Sequence, residues 1–287
     1  MNNLDLAFAR PPHPLIVEPI VRRALEEDFG RGGDLTTDLI VSSGQHASAK
    51  IVARQSGVLA GIIAAECAFR LVDISLRLEP AAMDGQAVAA SDLIAHISGS
   101  ARGILSAERV ALNFIGHLSG VATATHMLVD AVVGTKARIV CTRKTIPGMR
   151  ALEKYAVRCG GGFNHRFGLD DAVLIKDNHI AAAGGIPSAI ERVRQGLGHM
   201  VRIEIEVDTL SQLDQALALG VDTVLLDNMT IEEMKQAVAL TRGRAILEAS
   251  GGVTAASVHA IAETGIDYIS VGAITHSARS LDVALDF

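Results

Sequence analysis

Thr223-Val224-Leu225-Leu226-Asp227 is an apolar run of strand length that stops on an acid, and the second half of the chain holds further runs built the same way. Upstream, Ala137-Arg138-Ile139-Val140-Cys141-Thr142 ends at Arg143-Lys144, Ala172-Val173-Leu174-Ile175 at Lys176, and Ile203-Glu204-Ile205 at Glu206. Downstream, Ala245-Ile246-Leu247-Glu248-Ala249 ends at Ser250-Gly251-Gly252, and Tyr268-Ile269-Ser270-Val271 at Gly272. Each interval leaves room for a helix and a return. Strands alternating with such crossovers predict a parallel α/β barrel, whose chemistry gathers where the strands end. A seventh, shorter strand is expected at Phe163-Asn164-His165-Arg166, behind the Gly160-Gly161-Gly162 that ends a helix begun near Gly148. Eight strands are the common closure, so seven would be an unusual count.

Toward the N-terminus the pattern changes. Leu15, Ile16, Ile20, Val21 and Leu25 recur at helical intervals and predict a helix over 15–29, with Gly30-Arg31-Gly32-Gly33-Asp34 as a loop. From Ala47 to Ile97, short apolar runs broken by Gly57, Gly61, Gly85 and Asp92 predict strands, with one helix near Ile62 to Val72. After the turn Ser98-Gly99-Ser100, one helix is expected over 101–116 and another over 121–133. The fold class is therefore α/β: an N-terminal α/β domain of mixed sheet and helices over 1–116, then the barrel over 117–276. The apolar residues of the tail, 277–287, are expected to pack back on the first domain.

A chain of 287 residues with 49% apolar, 20% charged and only 3% aromatic side chains suits strands covered on both faces. Its formal charge of −6 argues against nucleic acid as a partner, so any anion must be held by a local cluster of cations. Cys67, Cys141 and Cys159 are odd in number and form no CxxC, which fits a reducing cytoplasm better than a disulfide framework or zinc site. Pro11-Pro12-His13-Pro14 is not the apolar core of a secretory signal, and the stretch from Gly57 to Phe69 is too short to span a membrane.

The strand ends sort by charge. Arg143, Lys144, Arg166 and Lys176 would point into one mouth with His165 beside them. Two such charges at ~4 Å repel by ~4 kcal/mol at an effective dielectric of ~20, which favours a bound anion. Arginine forks suit carboxylates and phosphates, and lysine supplies a point charge. Glu206 and Asp227 end neighbouring runs, and Glu204 alternates with Glu206 so that both face one side. Acids there can accept from sugar hydroxyls, hold Mg²⁺, stabilise a cationic transition state, or pair with the cations opposite. Ser250-Gly251-Gly252 precedes a helix expected over 255–263, and Gly272 closes the last run; freed amides at such a place can cradle a phosphate. A phosphorylated sugar meeting an anionic partner satisfies all three groups.

With these residues placed, the chain resembles the quinolinate phosphoribosyltransferase family, the decarboxylating enzymes also called nicotinate-nucleotide pyrophosphorylases. The resemblance rests on Glu27-Asp28-Phe29-Gly30, Gly33-Asp34-Leu35-Thr36-Thr37, Ala107-Glu108-Arg109-Val110-Ala111-Leu112-Asn113 and Leu118-Ser119-Gly120-Val121-Ala122-Thr123. More specific are Thr142-Arg143-Lys144-Thr145, Asn164-His165-Arg166, Ile175-Lys176-Asp177-Asn178-His179, Leu226-Asp227-Asn228-Met229 and Ser270-Val271-Gly272-Ala273-Ile274-Thr275-His276. It covers nearly everything from Glu27 onward. Ile146 stands where a threonine is more usual.

The resemblance implies an open seven-stranded barrel, a homodimer or higher homo-oligomer, and Mg²⁺-dependent reaction of quinolinate with phosphoribosyl pyrophosphate. The products would be nicotinate mononucleotide, pyrophosphate and CO₂. It assigns Arg143, Lys144, His165, Arg166 and Lys176 to quinolinate or pyrophosphate, with Thr142 and Ser270 among the substrate-binding positions. Glu206 and Asp227 would hold ribose hydroxyls or the metal, and Ser250, Gly251, Gly252, Gly272 and Ala273 the 5′-phosphate. Lys144, Lys176, Glu206 and Asp227 are the catalytic candidates, and Arg109 would reach the neighbouring subunit's site. Two rivals remain: a Schiff-base aldolase using Lys176, and a binding protein that keeps the cations without turnover.

Overall fold

A computed structural model describes residues 9–287, which form two compact units. The first comprises the chain up to His126 together with 145–161 and 273–287; the second comprises 127–144 and 162–272. In chain order the elements begin with α1 (Pro14–Phe29), α2 (Leu35–Ile40), β1 (His46–Ala53), β2 (Gly57–Val58), α3 (Ile62–Val72) and β3 (Arg77–Pro80). There follow β4 (Ala87–Val88), β5 (Leu93–Ser100), α4 (Ala101–Ala131), β6 (Arg138–Val140), α5 (Arg150–Cys159) and β7 (Val173–Ile175). Next come α6 (Asp177–Ala183), α7 (Ile186–Gly196), β8 (Ile203–Val207), α8 (Leu210–Ala218), β9 (Thr223–Asp227) and α9 (Ile231–Thr241). The chain closes with β10 (Ile246–Ser250), α10 (Val258–Glu263), β11 (Tyr268–Ser270), α11 (Ala273–His276) and β12 (Val283–Asp286).

In the first unit, Pro14 starts α1 where its missing N–H costs nothing, and the helix buries Val17, Val21 and Leu25. Asp34, read as loop, caps the short α2 by accepting the Thr37 N–H at 3.0 Å. The main sheet runs β12-β1-β5-β3 and is antiparallel throughout rather than mixed. β12 returns to pair with β1, Lys50 opposite Asp286 through Ala53 opposite Val283.

The two helices expected over 101–133 are one, α4. Gly116 and Gly120 look like a break but serve close packing. The Leu281 N–H donates to the Gly116 carbonyl at 2.9 Å, and a Cβ on Gly120 would overlap the Arg279 carbonyl. Glycine is there to admit a neighbouring backbone, which outweighs its cost of ~1 kcal/mol in a helix.

The second unit carries a parallel sheet of order β6-β11-β10-β9-β8-β7. The seventh strand is reduced to one bridge, Phe163 beside Val140 on the far side of β6. The Arg166 N–H then turns to its own neighbour, His165 Nδ1, at 2.7 Å. In-register partners share a face. Glu204, Thr223, Ile246 and Glu206, Leu225, Glu248, Tyr268 lie on one side, while Ile205, Val224, Leu247, Ala249 and Ile269 lie on the other, buried under helices.

The sheet is rolled. Phe163 and β8 are five strand spacings apart in the order, roughly 24 Å if flat. Yet His165 Nε2, two residues past Phe163, lies 2.9 Å from Glu204 Oε2 of β8. Only a curved sheet brings those side chains together, and its concave face is the one bearing Glu204 and Glu248. Among the described residues no helix is long and apolar enough to cross a membrane.

Candidate active site

The end of β6 is shaped by Thr142, whose hydroxyl accepts the Lys144 N–H at 2.9 Å and folds the chain so that Arg143 and Lys144 leave the strand together. Arg143 is half-buried and Lys144 exposed. Arg166 is anchored by one donor, Nη1 to the Ala172 carbonyl at 3.0 Å, while its Nε is buried without a hydrogen-bond partner. Burial and the neighbouring Arg143 hold its guanidinium below the usual arginine range, with Glu204 and Asp171 pulling the other way. Two neighbouring arginines, one with a buried donor unused, suit an anion.

Lys176 follows β7 and its ammonium group pairs with Glu206 Oε2 across to β8. The next residues explain the block Lys176-Asp177-Asn178-His179: His179 Nδ1 accepts the Lys176 N–H at 2.9 Å and fixes the start of α6. Asp227 ends β9 with Oδ2 accepting from Asn228 Nδ2 at 2.8 Å. Asn228 sits at φ +53° and donates its N–H to the Ser250 carbonyl at 2.9 Å. Against it lies Gly251, at φ +102°, where any Cβ would overlap the Asn228 side chain; Gly252 follows at φ +57°. Gly251 therefore serves a close approach between the ends of β9 and β10, while Gly252 supplies a left-handed turn in open space. The helix expected over 255–263 starts later, at Val258, after a turn in which Thr254 and Ser257 hydrogen-bond each other.

The structure gathers Thr142, Arg143, Lys144, His165, Arg166, Lys176, Glu206, Asp227, Ser250, Gly251, Gly252 and Gly272 at or beside the C-terminal ends of the strands of one sheet. Ser270 is different. It is 5% exposed, pairs in register with Val140 inside the barrel, and its hydroxyl donates to the Ala249 carbonyl at 3.4 Å, a layer below the rim. Arg109 and Ala273 belong to the first unit; Arg109 is exposed on α4, and Ala273 opens α11.

Beneath the rim is a cluster that the strand-end reading passed over. His165 Nε2 is 2.9 Å from Glu204 Oε2 and 3.7 Å from Glu248 Oε1, and both glutamates are nearly inaccessible, at 8% and 4%. Burial, and then the charge of Glu204, push the Glu248 carboxyl up to about 7. The signal was available: Glu204 and Glu248 are acids in the middle of apolar runs, at the parity that faces the barrel axis. As donors, Glu206 and Asp227 offer hard oxygens of the kind Mg²⁺ takes, whereas the inner cluster includes an imidazole nitrogen.

Two family models match the chain: the N-terminal domain of quinolinate phosphoribosyl transferase over residues 34–119 and its C-terminal domain over 121–286. The chain is similar to a probable nicotinate-nucleotide pyrophosphorylase (carboxylating) of Bacillus subtilis, 45% identical over 91% of this chain and 89% of the relative. The nicotinate-nucleotide pyrophosphorylase of Mycobacterium leprae is 44% identical over 93% and 95% of the two chains. Among solved structures, that of the nicotinate-nucleotide pyrophosphorylase from Francisella tularensis superposes with a TM-score of 0.93 at 42% identity, covering 97% of this chain and 98% of the other. The chain belongs to the quinolinate phosphoribosyl transferase family.

Proposed function

We propose that the rim of the barrel is where this chain carries out its family's reaction, transfer of phosphoribosyl from phosphoribosyl pyrophosphate to quinolinate with loss of CO₂, giving nicotinate mononucleotide and pyrophosphate for NAD biosynthesis. One observation carries the placement: Arg143 and Arg166 stand together with a buried guanidinium donor unused. A dianion with two adjacent carboxylates answers that pocket in charge and in fork geometry.

Arg143 and Arg166 grip the quinolinate carboxylates and turn the pyridine nitrogen toward C1 of the ribose, with His165 beside Arg166. Glu206 and Asp227 accept from the ribose hydroxyls and favour positive charge as the bond to pyrophosphate breaks. Their oxygens also fit Mg²⁺, which when bound would offset charge on the leaving pyrophosphate. Gly251 and Gly252, with Ser250 and Gly272, present backbone donors to the 5′-phosphate. Once the ring nitrogen is quaternary, the ring accepts the electron pair left when the neighbouring carboxylate departs as CO₂. A proton then replaces CO₂ at that carbon, delivered by Lys144 or Lys176. Lys176 is ion-paired with Glu206, so it meets substrate as part of a charge pair and not as the lone amine of an aldolase.

The working form is a homodimer at least, with Arg109 donated to the partner's rim. Arg109 is exposed and forms no hydrogen bond or ion pair among the described residues, and Leu35, Leu39 and Ile40 of α2 are 67%, 85% and 77% exposed. The enzyme works in the cytoplasm, in keeping with Cys67, Cys141 and Cys159, which are buried and form no disulfide.

The test is purified protein with quinolinate, phosphoribosyl pyrophosphate and Mg²⁺. CO₂ and nicotinate mononucleotide should appear in equal amounts, with no product when nicotinate replaces quinolinate. Preference for nicotinate would overturn the dianion pocket, and tight quinolinate binding without CO₂ would mark a binding protein.

A further inference from the structure

His165, Glu204, Glu248 and Ser270 occupy the inside of the barrel one layer below the rim, where branched apolar side chains ordinarily pack. None of the substrate roles above uses either glutamate. Burying two carboxylates side by side is unfavourable, and Glu204 Oε1 and Glu248 Oε1 are buried with no hydrogen-bond partner. Such an arrangement is unexpected in a core that only has to pack. Both acids face His165, and Glu248 also hydrogen-bonds the Ser270 side chain.

The hydrogen bonds of that ring define its state. Nδ1 accepts the Arg166 N–H at 2.7 Å, so it carries no proton. Nε2 therefore carries the proton, and Glu204 Oε2 at 2.9 Å receives it. Glu248 Oε1, at 3.7 Å, is beyond hydrogen-bond length and does not compete for that proton. Both ring nitrogens are thus committed, one to the acid below and one to the backbone of the residue that grips substrate. Without the acceptor at Nε2, this tautomer leaves a buried N–H unsatisfied and loses the advantage that favours it over the other. The other one would set Nδ1–H against the Arg166 N–H, donor facing donor, and the backbone of Arg166 would have to turn away. Among the described residues, its fork is otherwise tethered through Nη1 at the Ala172 carbonyl.

We propose that Glu204 is a positioning residue for quinolinate, acting through His165 on Arg166: the acid selects the tautomer, the tautomer holds the backbone, and the backbone aims the guanidinium. The proposal rests on the reading that Arg166 grips a quinolinate carboxylate, and the experiment separates the two.

Steady-state kinetics would compare wild type, Arg166→Ala, Glu204→Ala, Glu204→Gln and the double variant Glu204→Ala/Arg166→Ala, with each substrate varied in turn and melting temperatures alongside. Misplacing a binding group by about 1 Å can lose about 10²-fold, so Glu204→Ala should lower kcat/KM for quinolinate by about that factor while KM for phosphoribosyl pyrophosphate stays put. Glutamine keeps an oxygen that accepts Nε2–H, and Glu204→Gln should recover most of the loss. The double variant should be no worse than Arg166→Ala, because the acid acts only through the arginine. Full additivity, equal rises in both KM values, or a glutamine variant as impaired as the alanine one would each overturn the proposal. If Arg166→Ala leaves quinolinate kinetics unchanged, the reading of the rim itself fails; if it is impaired and Glu204→Ala is not, only the positioning role fails. Should Glu204→Ala not fold, His165→Ala replaces it in the same cycle with the same expected non-additivity.

Discussion

Gly251 and Gly252 are adjacent, both lie at positive φ and both follow β10, yet replacing each by alanine should have very different consequences. At Gly252, φ is +57° and a Cβ would meet nothing within 4 Å. An alanine there carries only the left-handed backbone cost, about 1 kcal/mol. At Gly251, φ is +102°, and a Cβ would overlap Asn228 Oδ1 and stand 3.0 Å from the Asn228 nitrogen. Strain at such a backbone position is about 1–3 kcal/mol, and the clash puts the total near the top of that range or above it, about 3 kcal/mol. At about 2–4 °C per kcal/mol for a chain of this order, melting should fall by about 6–12 °C in Gly251→Ala against about 2–4 °C in Gly252→Ala. The kinetic consequence is equally selective. Asn228 Nδ2 donates to Asp227 Oδ2 at 2.8 Å, so pushing Asn228 aside releases Asp227. KM for phosphoribosyl pyrophosphate should therefore rise more in Gly251→Ala, while KM for quinolinate changes little. Calorimetric melting and initial rates on the two variants decide it: equal effects, or the larger effect at Gly252, would refute the steric argument.

Glu248→Gln should change how stability depends on pH. A carboxyl pushed up to about 7 in the fold from an ordinary 4.5 keeps a proton that the unfolded chain has given up, so stability falls as pH rises through that window and stays lower above it. The loss is on the order of 3 kcal/mol at 1.36 kcal/mol per unit. The variant should melt higher than wild type near pH 8 and converge with it near pH 4.5; parallel curves would show that Glu248 does not titrate there. Tyr155→Phe removes the hydroxyl that donates to Asp84 Oδ2 at 2.8 Å; burial raises the Asp84 carboxyl, so about 1–3 kcal/mol should be lost in denaturant titration. Gly120→Ala sets a methyl against the Arg279 carbonyl and should cost about 1–3 kcal/mol by the same titration, whereas an undiminished midpoint would mean the 279–281 backbone can retreat.

The strand ends were legible because a charge interrupting an apolar run needs no tertiary information to be seen. That reading found β6 to β11 and most of the rim. The seventh strand was legible only as a run of residues; that it pairs through one bridge, Phe163 beside Val140, was not. The break expected near Gly116 and Gly120 failed because a glycine signals permission for close approach as readily as a helix end, and the approaching segment, 279–281, is far along the chain. Glu248 was passed over for a related reason. Within its own strand it is an isolated acid, and it becomes part of a cluster only once the sheet rolls and brings His165 to β8 and β10. The face carrying it could be counted from parity, but the curvature could not.

The pairing of β12 with β1 has a consequence for how the protein is made. Arg54 and Asp286, joined across this seam, are 232 residues apart in the chain. A ribosome adding about 5–20 residues per second finishes β1 some 10–50 s before β12 exists. Throughout that interval β1 presents an unpaired strand edge with Ile51 and Val52 ready to template another chain. The first unit to be translated is thus among the last to be completed, and the nascent chain is open to such pairing until β12 emerges.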